Sequence, residues 1–108
     1  MKSIIIYFFP LLFFSMLSNN NISFSREFLI YTYDSFNSKW GPGPIVFKRF
    51  EEICDCRVKV FSPGDSGKVL NRVILERANP KADILIGLNN SDIEKSFIFD
   101  LWEPYISK

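Results

Sequence analysis

Hydrophobic and polar positions along the chain fall into blocks that predict strands alternating with helices. The run from Phe28 to Tyr33 is continuously β-branched and aromatic, which is typical of a strand buried on both faces. Gly41 to Pro44 forms a stiff turn, and Pro44 suits the first position of a helix. The apolar face of this helix is predicted to comprise Val46, Phe50 and Ile53, opposite Lys48, Arg49, Glu51 and Glu52.

The pattern then repeats twice. Polar and apolar residues alternate from Arg57 to Phe61, as in a strand with one face that is more exposed to solvent. Asp65 or Ser66 is expected to cap a helix that ends at Asn79-Pro80. Its inward stripe is predicted to be Val69, Leu70, Val73, Ile74 and the aliphatic stem of Arg77. Ala82 to Leu88 predicts a third strand, and Ser91 is a candidate cap for a last short helix.

This order predicts an α/β fold, a βαβαβα segment with a parallel sheet and right-handed crossovers. Ligands of such sheets bind at the carboxyl ends of the strands. Three polar or aromatic loops are expected to converge there: Tyr33 to Trp40, Gly64 to Ser66, and Asn89 with Asn90.

The loop after the first strand carries the most specific chemistry. In the sequence YTYDSFNSKWGPGP, residues 31–44, aromatic side chains flank a carboxylate. A packing role is expected for Tyr31, whereas Tyr33 and Trp40 are candidate ligand contacts. Asp34 and Asp65 suit turns and caps, but each also supplies the negative charge that a cationic ligand needs. Asp83, at the start of the third strand, is expected to be structural. These loops suit a flat, cationic, heteroaromatic ligand.

Two motifs that indicate catalytic or phosphate-binding sites in other proteins are incomplete in this sequence. Gly64-Asp65-Ser66-Gly67 is similar to the nucleophile loop of trypsin-like proteases, but the chain has no histidine to act as the base. Gly67-Lys68 hints at a phosphate-binding P-loop, but Ser62 and Val69 occupy positions where that motif needs Gly and Ser/Thr. No catalytic residue is therefore assigned.

The first 25 residues have the layout of a signal peptide. Lys2 precedes the apolar run IIIYFFPLLFFSML, and polar residues follow it. A transmembrane anchor is disfavoured because Pro10 interrupts the run, which is shorter than the roughly 18–20 apolar residues that a span needs. Cleavage is expected after Ser25. The exported part, residues 26–108, would then carry 12 basic and 12 acidic residues, a balance that does not favour nucleic acid or an anionic membrane.

Cys54 and Cys56 are the only cysteines. Their C-x-C spacing leaves a disulfide and a pair of free thiols equally open, in a compartment that permits disulfides. A metal site is disfavoured because the chain has no histidine and no second cysteine pair.

Four segments resemble the amino-terminal part of the periplasmic thiamine-binding proteins of bacterial thiamine ABC transporters. They are YTYDSFNSKWGPGP (31–44), FEEICDC (50–56), LNR (70–72) and KADILIGLNN (81–90). The resemblance implies part of lobe 1 of a type II periplasmic binding protein fold. It covers nearly all of residues 26–108, but only about the first quarter to third of that family's length, so a truncated chain without the second lobe is expected.

The resemblance implies capture of thiamine, thiamine phosphate or thiamine diphosphate in the periplasm and delivery to an inner-membrane ABC permease, without a cofactor. The exported protein is expected to be soluble, with no stable membrane insertion. Tyr33 and Trp40 match aromatic pocket positions, and Asp65 with Ser66 matches a ligand-contacting pair. That family usually has Asp-Gly there, so Ser66 is a departure. Asp34 and Asn89 complete the predicted ligand-binding set.

Three other interpretations remain open at this point. The chain could be a non-functional coding remnant or a small exported α/β domain that needs a partner chain, because the second lobe has no counterpart in it. A hydrolase acting on thiamine phosphates is a more distant alternative.

Overall fold

The computed structural model describes residues 26–108. The predicted signal peptide, residues 1–25, and its cleavage site lie outside the described residues. Seven elements follow one another: β1 (Glu27–Thr32), α1 (Asp34–Asn37), α2 (Gly43–Cys54), β2 (Arg57–Phe61), α3 (Ser66–Leu75), β3 (Ile84–Ile86) and α4 (Asn90–Ile98). Among residues 26–108, no helix has both the length and the apolar character that crossing a membrane requires.

The three strands form one parallel sheet in the order β2-β1-β3. Glu27 pairs with Arg57 at the start of the β1–β2 ladder, and Ile30 pairs with Ile84 at the start of the shorter β1–β3 ladder. The central strand β1 contributes the buried residues Ile30, Tyr31 and Thr32. The predicted α/β class and parallel βαβαβα arrangement are confirmed, with the short helix α1 as an addition.

Helix α2 turns a different face to the core than the sequence predicts. Phe47 is buried, and its ring lies 5.8 Å from that of Phe36. Val46 and Ile53 are 48% and 72% exposed, so their prediction as core residues is wrong. Apolar residues of α2 fit two neighbouring helical stripes equally well. Tertiary packing selects the stripe containing Phe47 and Phe50, the latter against Phe28 at 5.7 Å between ring centroids.

Helix α3 packs on the sheet largely as expected, but it ends at Leu75, before the end predicted at Asn79-Pro80. The side chain of Asp65 caps it by accepting a hydrogen bond from the Lys68 backbone N–H at 2.9 Å. Val69 and Leu70 are fully buried. Arg77 lies beyond the end of α3 and is exposed, and its guanidinium donates to the Ile74 carbonyl at 3.0 Å. Its prediction as part of the inward stripe is therefore wrong.

The third strand is shorter than predicted, three residues instead of the run from Ala82 to Leu88. Asp83 fixes its start, since its N–H donates to the Leu29 carbonyl at 2.8 Å and its carboxylate accepts from the Leu29 N–H at 2.8 Å. The structural role expected for Asp83 is confirmed. Asn89 caps α4 by accepting from the Asp92 N–H, so the alternative of Ser91 as the cap is wrong.

The corner between α2 and β2 is held by two links. Cys54 and Cys56 form a disulfide, which is one of the two states that the sequence leaves open. Asp55 between them ends α2 in the left-handed conformation, with φ 50°. The Glu51 carboxylate also accepts a hydrogen bond from the Val58 N–H at 2.7 Å. Helix α2 is thereby fixed to the first residues of β2.

Candidate functional site

A cleft of about 500 Å³ opens at the carboxyl ends of the three strands. Its lining includes four residues of the predicted ligand-binding set, Tyr33, Asp34, Asp65 and Ser66. Lys68 and Gly87 also line it. The loops after all three strands therefore contribute, as expected for an open parallel sheet.

Backbone contacts hold the first two loops together. The N–H of Asp34 donates to the Gly64 carbonyl at 2.8 Å, which joins the loop after β1 to the loop after β2. Gly64 has φ 143°, a conformation that residues with a Cβ rarely adopt. Asp34 and Asp65 are both exposed, so a cationic ligand can reach their carboxylates, although Oδ1 of Asp65 also caps α3.

Tyr33 is the aromatic wall of the cleft. Its ring lies 5.8 Å from that of Phe36 and covers Gly87 in the loop after β3. A Cβ at position 87 would overlap the Tyr33 ring, so only glycine lets the ring lie so close to this loop. The side chain is partly exposed, in contrast to the buried Tyr31 two residues earlier.

Ser66 and Asn89 lie side by side at the beginnings of α3 and α4. The Asn89 amide donates to the Ser66 hydroxyl at 3.2 Å, and that hydroxyl donates to the Asp92 carboxylate at 2.8 Å. The Asn89 side-chain oxygen meanwhile caps α4. Both side chains are thus engaged in joining two loops, and Asn89 adjoins the cleft without being part of its lining.

Trp40 is the one predicted site residue that the structure places apart from the others. It is 90% exposed, and its ring lies 5.4 Å from the ammonium of Lys39. The structure does not include it among the cleft residues. Its exposure excludes a core role in the described part of the chain, and its contact with a ligand stays a prediction.

Tyr31 has the packing role that the sequence predicts. It is 3% exposed, its hydroxyl donates to the Glu76 carboxylate at 2.9 Å, and its ring lies 4.9 Å from that of Phe61. Burial, followed by the hydrogen bond to Glu76, raises the pKa of the Tyr31 phenol above its ordinary value. This residue anchors α3 to the sheet and does not line the cleft.

A larger hollow of about 740 Å³ lies between β3 and α4, next to Gly87. Its walls are mainly apolar and include Leu85, Leu88, Ile93, Phe97, Trp102 and Pro104. Asp100 and Glu103 add two carboxylates to this lining, but none of the residues predicted to bind a ligand belongs to it. We therefore regard the smaller cleft, where the polar loops converge, as the candidate binding site.

Two cleft residues were missed by the sequence reasoning. Gly87 directly follows the third strand, and a glycine at such a position signals close approach of another group. Lys68 was considered only in a P-loop match that failed, because a lone lysine on a helix does not by itself indicate a binding site. In the described part of the chain, no group of three or more His, Cys, Asp or Glu side chains is placed to hold a metal ion.

Comparisons with known proteins give similarity to one kind of protein. The chain is 48% identical over 62 residues to a thiamine-binding periplasmic protein of Escherichia coli K12, which covers 57% of this chain and 19% of that protein. It is 46% identical over 77 residues to a protein of the same name from Haemophilus influenzae, covering 69% of this chain and 23% of that protein. No family model matches the chain.

A solved structure named periplasmic thiamin binding protein superposes with a TM-score of 0.62 at 41% sequence identity. The predicted resemblance is confirmed. The match covers 68% of this chain and 23% of that structure. The chain thus spans about a fifth of the length of the thiamine-binding periplasmic proteins it matches, which fits similarity to their amino-terminal portion.

Proposed function

We propose that residues 26–108 form part of the substrate-binding subunit of a thiamine ABC importer, acting in the periplasm and delivering its ligand to an inner-membrane permease. The observation that carries the proposal is the 46–50% identity to proteins that are all named for binding thiamine in the periplasm. The cleft supports it, since an aromatic ring and two carboxylates meet at the strand ends.

The chemistry of thiamine suits these groups. Its thiazolium ring carries a fixed positive charge, and its aminopyrimidine ring is flat and polar. The Tyr33 face can attract the cation, with about 0.5–2 kcal/mol available from such contacts depending on how dry the site is. Asp34 and Asp65 add opposite charge and orientation. Capture and release break no covalent bond, so these residues need only bind and orient the ligand.

Calorimetric titration of thiamine into the complete natural protein that contains these residues tests the proposal. We expect a dissociation constant of about 1 μM or tighter, equivalent to about −8 kcal/mol. The hydroxymethyl-aminopyrimidine half of thiamine, which lacks the cation, is the matched control ligand and should bind much more weakly. Absence of thiamine binding by folded protein would contradict the proposal.

The same preparation tests the enzymatic alternative. Incubation with thiamine monophosphate and thiamine diphosphate should release no inorganic phosphate beyond the rate in buffer. Steady release that scales with protein concentration would favour a hydrolase over a transport subunit.

A further inference from the structure

We infer that Lys68 is a specificity residue that favours the phosphorylated forms of thiamine over thiamine itself. The inference rests on the proposed function and names the form of the ligand that this chain's cleft selects. Lys68 is one of the residues that line the cleft, and its ammonium lies beside Gly64, another lining residue.

Lys68 lies on the first turn of α3 but turns back over the loop that precedes the helix. The position that a Cβ would occupy at Gly64 lies 2.7 Å from Cδ of Lys68 and 3.3 Å from its Nζ. The aliphatic stem therefore packs on the bare backbone of Gly64, and the ammonium is placed in the cleft lining.

The Lys68 ammonium has no internal partner in the described part of the chain. The ion pairs among residues 26–108 involve Arg49, Lys59 and Arg72 as cations, and Lys68 contributes only its backbone N–H to a hydrogen bond. The cleft consequently presents a free positive charge beside the carboxylates of Asp34 and Asp65.

This arrangement of charges matches a ligand that carries both signs. Unphosphorylated thiamine has only the positive thiazolium, which the carboxylates and Tyr33 attract but Lys68 repels. A phosphate ester adds an anion, and an ammonium is a strong partner for phosphate oxygens. The same lysine thus weakens binding of thiamine and strengthens binding of its esters.

The test compares wild type, Lys68→Met and Lys68→Arg in the complete natural protein. Dissociation constants are measured for thiamine and thiamine monophosphate under identical low-salt conditions. Because the ammonium is exposed, we expect Lys68→Met to weaken monophosphate binding by about three- to tenfold. Thiamine binding should stay unchanged or become slightly tighter. Lys68→Arg should keep the ester preference, and added salt should reduce it in wild type.

Lys48→Met is the matched control, since Lys48 is an exposed lysine of α2 outside the cleft lining and its removal changes the net charge equally. It should alter neither affinity. If Lys68→Met weakens thiamine and its monophosphate equally, or alters neither, Lys68 does not select the phosphate and the inference is wrong. If wild type binds neither ligand, the proposed function fails and the inference fails with it.

Discussion

Tyr33 is the residue whose removal tests the cleft most directly. We expect Tyr33→Ala to weaken thiamine binding by about 1–3 kcal/mol, because it removes both a cation–π contact and apolar contact area. Tyr33→Phe is the matched control, since it keeps the ring that covers Gly87 and should lose much less affinity. Calorimetry on folded variants provides the measurement. Equal affinity of Tyr33→Ala and wild type would assign Tyr33 a packing role only.

A second prediction for a single residue concerns whether Trp40 contacts the ligand. Its exposed ring in the turn before α2 lies outside the cleft lining, yet the sequence predicts a ligand contact. We expect Trp40→Ala to weaken thiamine binding while leaving the thermal unfolding midpoint nearly unchanged, because a 90% exposed side chain contributes little to the core. Quenching of Trp fluorescence by thiamine in wild type, reduced in Trp40→Ala, would support the contact. Unchanged affinity would remove Trp40 from the site.

The raised pKa of Tyr31 predicts that the stability of the fold depends on pH. A pKa raised in the folded protein means that folding favours the neutral phenol. This contribution is fully present below the ordinary pKa of tyrosine, about 10, and is lost as the pH rises through the higher folded value. Tyr31→Phe should therefore be less stable than wild type by about 1 kcal/mol near neutral pH, because it loses the hydrogen bond to Glu76.

The difference between Tyr31→Phe and wild type should shrink above about pH 10. Urea unfolding of both proteins in parallel from pH 7 to pH 11 provides the comparison. A difference that stays constant across the whole range would show that ionisation of Tyr31 is not linked to folding.

At the scale of elements, the disulfide between Cys54 and Cys56 joins the end of α2 to the residue before β2. A bond across a single residue restricts the unfolded chain only slightly, so the double variant Cys54→Ala/Cys56→Ala should lose about 1–2 kcal/mol of stability. Chemical denaturation gives this value, and thiol labelling of unfolded wild type without reductant should find no free thiols. The Glu51 bond to Val58 is independent of sulfur and should keep α2 in place.

The helices and strands show which structural features the sequence patterns could predict and which they could not. Hydrophobic periodicity located β1, β2 and α3 because each has one dominant apolar stripe or run. It chose the wrong face of α2, since Val46 and Ile53 are as apolar as the core residue Phe47 and only tertiary contacts distinguish them. It also extended β3 too far. A run of apolar residues does not reveal that Asp83 sets the start of the ladder through its hydrogen bonds with Leu29.

The candidate site, too, could be predicted from the sequence only in part. Strand ends and turn residues predicted that the loops of Tyr33, Asp65 and Asn89 would meet, and the structure brings them together. The position of Lys68 could not be predicted from sequence. It depends on the conformation of Gly64, four residues earlier, which leaves room for the lysine stem above the backbone.

At the scale of the whole molecule, both the cleft and the apolar hollow beside β3 are open to solvent in the described residues. We predict that residues 26–108, produced as an isolated polypeptide, bind thiamine poorly. Cation–π contacts weaken when the cation stays hydrated, to about 0.5–1 kcal/mol from about 2 kcal/mol in a dry site. The exposed side chains of Ile93, Phe97 and Ile98 should also bind apolar dyes or promote self-association.

The matched comparison is a chimera in which residues 26–108 replace the corresponding segment of a full-length thiamine-binding relative. Circular dichroism and analytical ultracentrifugation first establish that the isolated polypeptide is folded and monomeric, and both proteins are then titrated with thiamine and thiamine diphosphate. If enclosure of the ligand supplies most of the affinity, the chimera binds at least about 100-fold more tightly, a difference of about 2.7 kcal/mol. Submicromolar binding by the folded, monomeric polypeptide would instead show that Tyr33, Asp34 and Asp65 hold thiamine without any covering surface.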